Sequence, residues 1–193
     1  MLYREAQPSP LLAPWVECYW TRSGSATGID RVLPDGCADV IFDLGGSPGD
    51  LSEAFAVGTM TKPLIVPASP APELFGIRFR PGRARLGVHV PLSELTDDRV
   101  PLGDVRALGA GLTERLTTVT TFDARVAIIE RTLASSLASA EADAMIDAAI
   151  AAIHRSQGIA SVDSVAKALG VSRQHLARRF ASTVVFRRRC SRA

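Results

Sequence analysis

In the stretch SVDSVAKALGVSRQHLARRF, residues 161–180, Gln174 and Arg178 stand four apart. On a helix that spacing puts both on one side. A glutamine amide can bond adenine through two atoms, and an arginine guanidinium can do the same with guanine. The chemistry this pair could carry is the reading of base pairs. Leu176 and Phe180 fall on the opposite side and define a buried stripe, while Ala177 lies beside the outward pair. Arg173 and Arg179 flank the stripe and, with Lys167, suit phosphate contacts, which position a protein on DNA without choosing a sequence.

Other constellations carry less. Asp39 and Asp43 lie four apart on an expected strand, hence on one face. They could do acid–base work or bind a cation, but a rim or solvent-facing place is expected for both. Cys37, in PDGCAD, has no Lys, Arg or His beside it in sequence to lower its pKa, and is expected to be a buried structural cysteine. Arg78, Arg80, Arg83 and Arg85 alternate in FGIRFRPGRAR. They read either as an anion site or as a solvated edge pairing with local acids, the second being favoured. The three histidines are scattered, and none of the three cysteines pairs at zinc-ligand spacing. No metal, no cofactor and no catalytic residues are expected, and an enzyme is the least supported class.

The reading pair needs elements that hold it. Ser161 can cap a helix over 162–169, its hydroxyl accepting an otherwise unpaired amide. Gly170 stands where the chain must turn, because glycine enters the left-handed region cheaply. Ser172 can cap a second helix running to Phe180. Val165, Leu169, Val171, Leu176 and Phe180 supply contacts between the two, and Ala166 permits a close crossing. This is the helix-turn-helix pattern, whose second helix enters the major groove. Two helices joined at a glycine also occur in plain bundles, so charge matters. From Ile150 onward nine Lys or Arg face one acid, a net of +8, whereas the preceding 149 residues carry thirteen basic and nineteen acidic groups, a net of −6. An acidic body with a basic end points to a polyanion partner.

Upstream, strands are expected over 16–22, 29–33, 38–44, 54–59 and 74–80, punctuated by Pro and Gly turns. Phe75, Ile77 and Phe79 alternate with polar or small residues, as in a half-buried strand. Strands this close together argue for an antiparallel sheet or small barrel. After Pro81 come a short helix over 83–88, a looped segment PLSELTDDRVPLGD and a weak helix over 104–117. A stronger one follows over 122–137, with Phe122, Val126, Ile129, Leu133 and Leu137 on one stripe. That stripe reads either as a dimer seam or as a face packed on the sheet. Residues 138–142 read as a hinge, followed by a helix through Met145, Ile146, Ala149, Ile150 and Ile153. The chain of 193 residues has ordinary globular composition, with 47% hydrophobic and 22% charged residues. No run is apolar enough for a membrane span, and the early Glu5 and prolines do not read as a signal peptide. A cytoplasmic protein without a membrane partner is expected.

VAKALGVSRQHLARRF closely resembles the first helix-turn-helix of AraC-type transcriptional regulators. LAPWVECYW, RVLPDGCADVIFDL, ELFGIRFRPG and PLSELTDDRVPL are similar to the sensory domain that precedes it in one branch of that family. The resemblance implies an α+β fold: a cupin-like or jelly-roll antiparallel β domain over 1–82, a helical connector over 83–140 that can dimerise, and a DNA-binding part over 141–193. It implies DNA as partner, a small-molecule effector sensed by the β domain, and a homodimer. Its base-contacting positions fall at Gln174, Ala177 and Arg178, the face that helical geometry also selects. Phosphate contacts are expected from Lys167, Arg173 and Arg179, and from Arg187, Arg188 and Arg189 in the tail. The similarity stops near Thr183, before the second helix-turn-helix of the family. A frameshift or a natural truncation there, weakening DNA recognition, is therefore expected. The alternative function is a ligand-binding or dimerising protein that no longer binds DNA specifically.

Overall fold

The computed structural model describes residues 2–24, 29–45, 54–67, 73–88, 92–105, 108, 111–137 and 143–183. An antiparallel sheet comes first and helices follow, an α+β arrangement. Its strands are β1 (Leu2–Ala6), β2 (Val16–Ser23), β3 (Ile29–Val32), β4 (Ala38–Asp43), β5 (Ala54–Val57), β6 (Leu64–Pro67), β7 (Glu73–Phe79) and β8 (Arg99–Pro101). Six of them form one sheet in the order β1-β2-β7-β4-β5-β8, while β3 and β6 pair as a separate ribbon. All pairings are antiparallel, with one bulge in β2 between Val16 and Cys18.

Alternation decides the two faces of the large sheet. Tyr19, Val40, Phe42, Phe75, Ile77 and Phe79 lie on the inner face and are fully buried. They share one core with Leu86, Leu92, Leu95, Leu112, Leu116, Phe122, Ile129 and Leu133 from the segments that follow. The outer face carries Cys18, Trp20, Asp39, Ile41, Phe55, Gly76 and Arg78, in register across β2, β7, β4 and β5. Gly76 is required there: a Cβ would stand 2.0 Å from Cε2 of the Trp20 ring.

Three strands escape the sequence reading. β1 is mostly exposed, so it shows no apolar alternation. β6 is only four residues between prolines. β8 lies in the segment expected to be a loop, which in fact holds 3-10 turns at Leu92–Leu95 and Leu102–Val105 around it. The sheet therefore takes a strand from beyond the expected boundary at residue 82. The short helix at 83–88 is a 3-10 turn, Ala84–Leu86. The weak helix shrinks to α1, Leu112–Thr117, because Gly111 precedes it in a left-handed conformation, φ +76.

α2 spans Phe122–Ser136, its start fixed by Thr121, whose side chain accepts the Ala124 N–H. Its stripe turns to the sheet. Phe122, Ile129 and Leu133 are buried in the common core, with Val126 and Leu137 packed against it. In this structure the stripe is covered by the chain's own sheet rather than left open as a seam. The expected hinge at 138–142 lies outside the described residues. Beyond it α3 (Ala144–Arg155), α4 (Val162–Ala168) and α5 (Arg173–Thr183) enclose a second, smaller core of Ile146, Ala149, Val165, Ala166 and Leu176.

Candidate nucleic-acid interface

The helix pair forms where its capping residues place it. The Ser161 hydroxyl accepts the Ser164 N–H at 3.1 Å and starts α4. α4 ends at Gly170, φ +68, where the Gly170 N–H reaches the Lys167 carbonyl at 3.1 Å and the Val171 N–H the Ala166 carbonyl at 3.0 Å. These two bonds are the pattern by which a left-handed glycine satisfies the last carbonyls of a helix. Ser172 then opens α5 by accepting the His175 N–H at 3.1 Å. Val165, Ala166 and Leu176 are nearly inaccessible between the helices.

Gln174, Ala177 and Arg178 are exposed on α5, away from Leu176. Lys167, Arg173 and Arg179 are exposed as well, but two of them have acidic partners. Arg173 Nη1 meets Asp163 Oδ2 at 3.4 Å, with both side chains about two-thirds in solvent. Such a pair is weak and yields readily to a phosphate. Arg179 Nη2 meets Asp143 Oδ2 at 2.5 Å. Asp143 also caps α3 through Oδ1, at 3.2 Å from the N–H groups of Met145 and Ile146. Arg179 thus ties the second helix of the pair to the start of α3, a contact that sequence spacing does not reveal. Arg187, Arg188 and Arg189 lie outside the described residues.

On the sheet's outer face the acids and arginines meet. Asp39 Oδ1 accepts the Trp20 Nε1–H at 3.0 Å and the Arg78 Nε–H at 3.3 Å. Arg78 Nε also lies 3.6 Å from Asp35 Oδ2. Asp39 is therefore not the solvent-facing rim position expected of it, since only 15% of its side chain is exposed. Burial pushes its carboxyl above the ordinary range, against the pull of Arg78 and of the Trp20 N–H. Burial, helped by nearby acids, raises Cys18 to about 11 and Cys37 to about 12. Neither thiol is poised as a nucleophile. Two more arginines of FGIRFRPGRAR also find acids: Arg80 pairs with Glu17 at 2.5 Å and Arg83 with Asp147 at 2.7 Å.

Among the described residues, concavities that could admit a small molecule include two beside the sheet. One, about 170 Å³, lies between the outer face, at Val57 and Arg99, and the ribbon residues Leu64, Ile65 and Val66. The other, about 410 Å³, opens where Thr21 and Glu73 of the sheet meet Phe122 and Arg125 of α2. Arg125 is a buried charge on the apolar stripe, unforeseen in sequence. Its Nη2 meets Glu73 Oε1 at 2.7 Å, and its Nε–H lies 3.3 and 3.2 Å from the carbonyls of Leu116 and Val119.

Residues 4–101, from β1 through β8, match a family model described as a domain of unknown function, DUF6597. The chain belongs to the DUF6597 family. The match covers the strands of the DUF6597 sheet, from within β1, together with the Trp20–Asp39–Arg78 cluster on its outer face, and ends before α1. No curated protein and no solved structure matches the chain. Among the described residues no helix is long and apolar enough to cross a membrane.

Proposed function

We propose that this DUF6597 protein is a DNA-binding transcriptional regulator of AraC type, in which a cupin-like β domain senses a small molecule and α4–α5 reads DNA. The observation that carries the reading is the capped, glycine-turned helix pair that leaves Gln174, Ala177 and Arg178 exposed. Arg178 and Gln174 supply two-atom contacts to guanine and adenine, and Ala177 can add only a thymine methyl contact. Lys167, Arg173 and Arg179 supply phosphate contacts, the last two by exchanging an acid for a phosphate. The concavities beside the sheet give an effector somewhere to bind.

Selection of bound sites from a random-sequence DNA pool tests the proposal. A shared motif that enriches over rounds at about 200 mM salt is the expected result. A pool that stays random, and is retained only at low salt, would overturn it, because phosphate contacts alone are sequence-blind and salt-sensitive.

A second reading has one observation in its favour. Arg173 and Arg179 are already held by Asp163 and Asp143, which lowers the charge offered to DNA. A ligand-binding protein without specific DNA binding would show that same random pool while still being stabilised by a small molecule.

A further inference from the structure

The sheet domain and α3 are joined by an ion pair whose arginine is gripped from two sides. Arg83 follows β7, past the turn at Pro81 and Gly82. Its guanidinium lies over the Trp15 ring, 4.8 Å from the centroid. Its Nη2 meets Asp147 Oδ1 at 2.7 Å, and its side chain is only 17% exposed. Trp15 is itself fixed, since its N–H donates to the Leu12 carbonyl at 2.8 Å and its own carbonyl accepts the Arg80 N–H at 2.9 Å.

Asp147 stands in the first turn of α3, four residues after Asp143. Those two carboxylates share one side of the helix, and each holds an arginine. Asp147 holds Arg83 from the sheet domain, and Asp143 holds Arg179 from α5. The start of α3 is therefore an ionic hub between the sheet and the candidate recognition helix. α5 also packs against the turn Leu92–Leu95, which belongs to the sheet's own core.

We propose that Arg83, clamped between Trp15 and Asp147, is a latch that holds α3–α5 against the sheet domain and sets the direction in which α5 faces. A planar guanidinium can stack on an aromatic ring and pair with a carboxylate at once, which a lysine cannot match. Asp147 is 36% exposed, so solvent and salt reach the pair and the latch can open. Gln174, Ala177 and Arg178 stay exposed while it is closed, so it aims the reading face rather than covering it. Its regulatory meaning rests on the DNA-reading proposal, but its existence does not.

Backbone ¹⁵N relaxation on the full chain tests it without DNA, so a failure to bind DNA leaves this test untouched. In the unaltered protein at low salt, amides of α3–α5 and of the sheet share one rotational correlation time. In R83A the α3–α5 amides tumble separately, with a correlation time lower by roughly twofold. D147N, which keeps Arg83 on Trp15, gives the same separation and guards against a folding defect at residue 83. One shared correlation time in both variants, at low and at high salt, would overturn the latch.

Discussion

The sheet and the outward face of α5 use arginine in different ways. In the sheet domain Arg78, Arg80, Arg83 and Arg125 each meet a carboxylate within 3.3 Å, and Arg125 is 7% exposed. On α5 Arg179 is tied in the same way, to Asp143, but Arg178 stands in solvent, and Arg173 meets its acid only at the surface. A charge with little water around it must be paired, so the sheet's arginines are tied into its architecture. An exposed charge costs little to maintain and remains available to a partner. The difference separates arginines that hold a fold from those that can greet a polyanion, and net charge alone hides it.

The contrast can be broken most strongly at Gly76. Gly76→Ala puts a methyl 2.0 Å from a Trp20 ring already bonded to Asp39. Overpacking of this kind costs about 3 kcal/mol, read as a fall in the urea midpoint for the sheet. Leu176→Ala removes the centre of the smaller core. A loss of about 3 kcal/mol is expected, with amides of α4 and α5 exchanging faster while those of β2 and β7 keep their protection. Equal loss of protection in both regions would mean that the two cores unfold together.

Arg178→Ala acts on the exposed arginine instead. On the proposed DNA-reading role it should cost about 1–3 kcal/mol of discrimination between DNA sequences and leave the urea midpoint unchanged. Arg173→Ala, which removes an exposed pair, should change stability by less than about 0.5 kcal/mol. Smallest is a rate effect at Cys37. With its thiol raised to about 12, alkylation followed by peptide mass should keep accelerating above about pH 10, where an ordinary thiol has nearly levelled. The sign follows from linkage: the neutral thiol is the favoured folded form, so its contribution to stability is whole below the unfolded pKa. That contribution is lost as pH rises through the folded one.

Much of the helix pair was legible because its signals are local. Ser161, Gly170 and Ser172 act on amides a few residues away, and the 3.6 period sorts Leu176 from Arg178. β2, β4 and β7 were legible through their alternation. β1 was not, since it is an exposed edge strand whose pairing to β2 depends on a partner distant in sequence. Asp39 reads as a rim residue because alternation tells which face a side chain takes, not what covers that face. Its neighbours Trp20 and Arg78 come from β2 and β7, brought alongside only by the sheet order. Arg125 was missed for a related reason: among apolar residues at helical spacing nothing marks a charge as buried until Glu73 meets it across the core. The Arg83–Asp147 pair is likewise invisible before the helices dock on the sheet.

The most direct test of the central claim is a titration of the protein and its Arg178→Ala variant against DNA from upstream of its own gene and a shuffled copy, at about 50 and 200 mM salt. The unaltered protein is expected to prefer the upstream DNA at both salts, and the variant to lose much of that preference. Equal binding to both DNAs, collapsing together as salt rises, would contradict it.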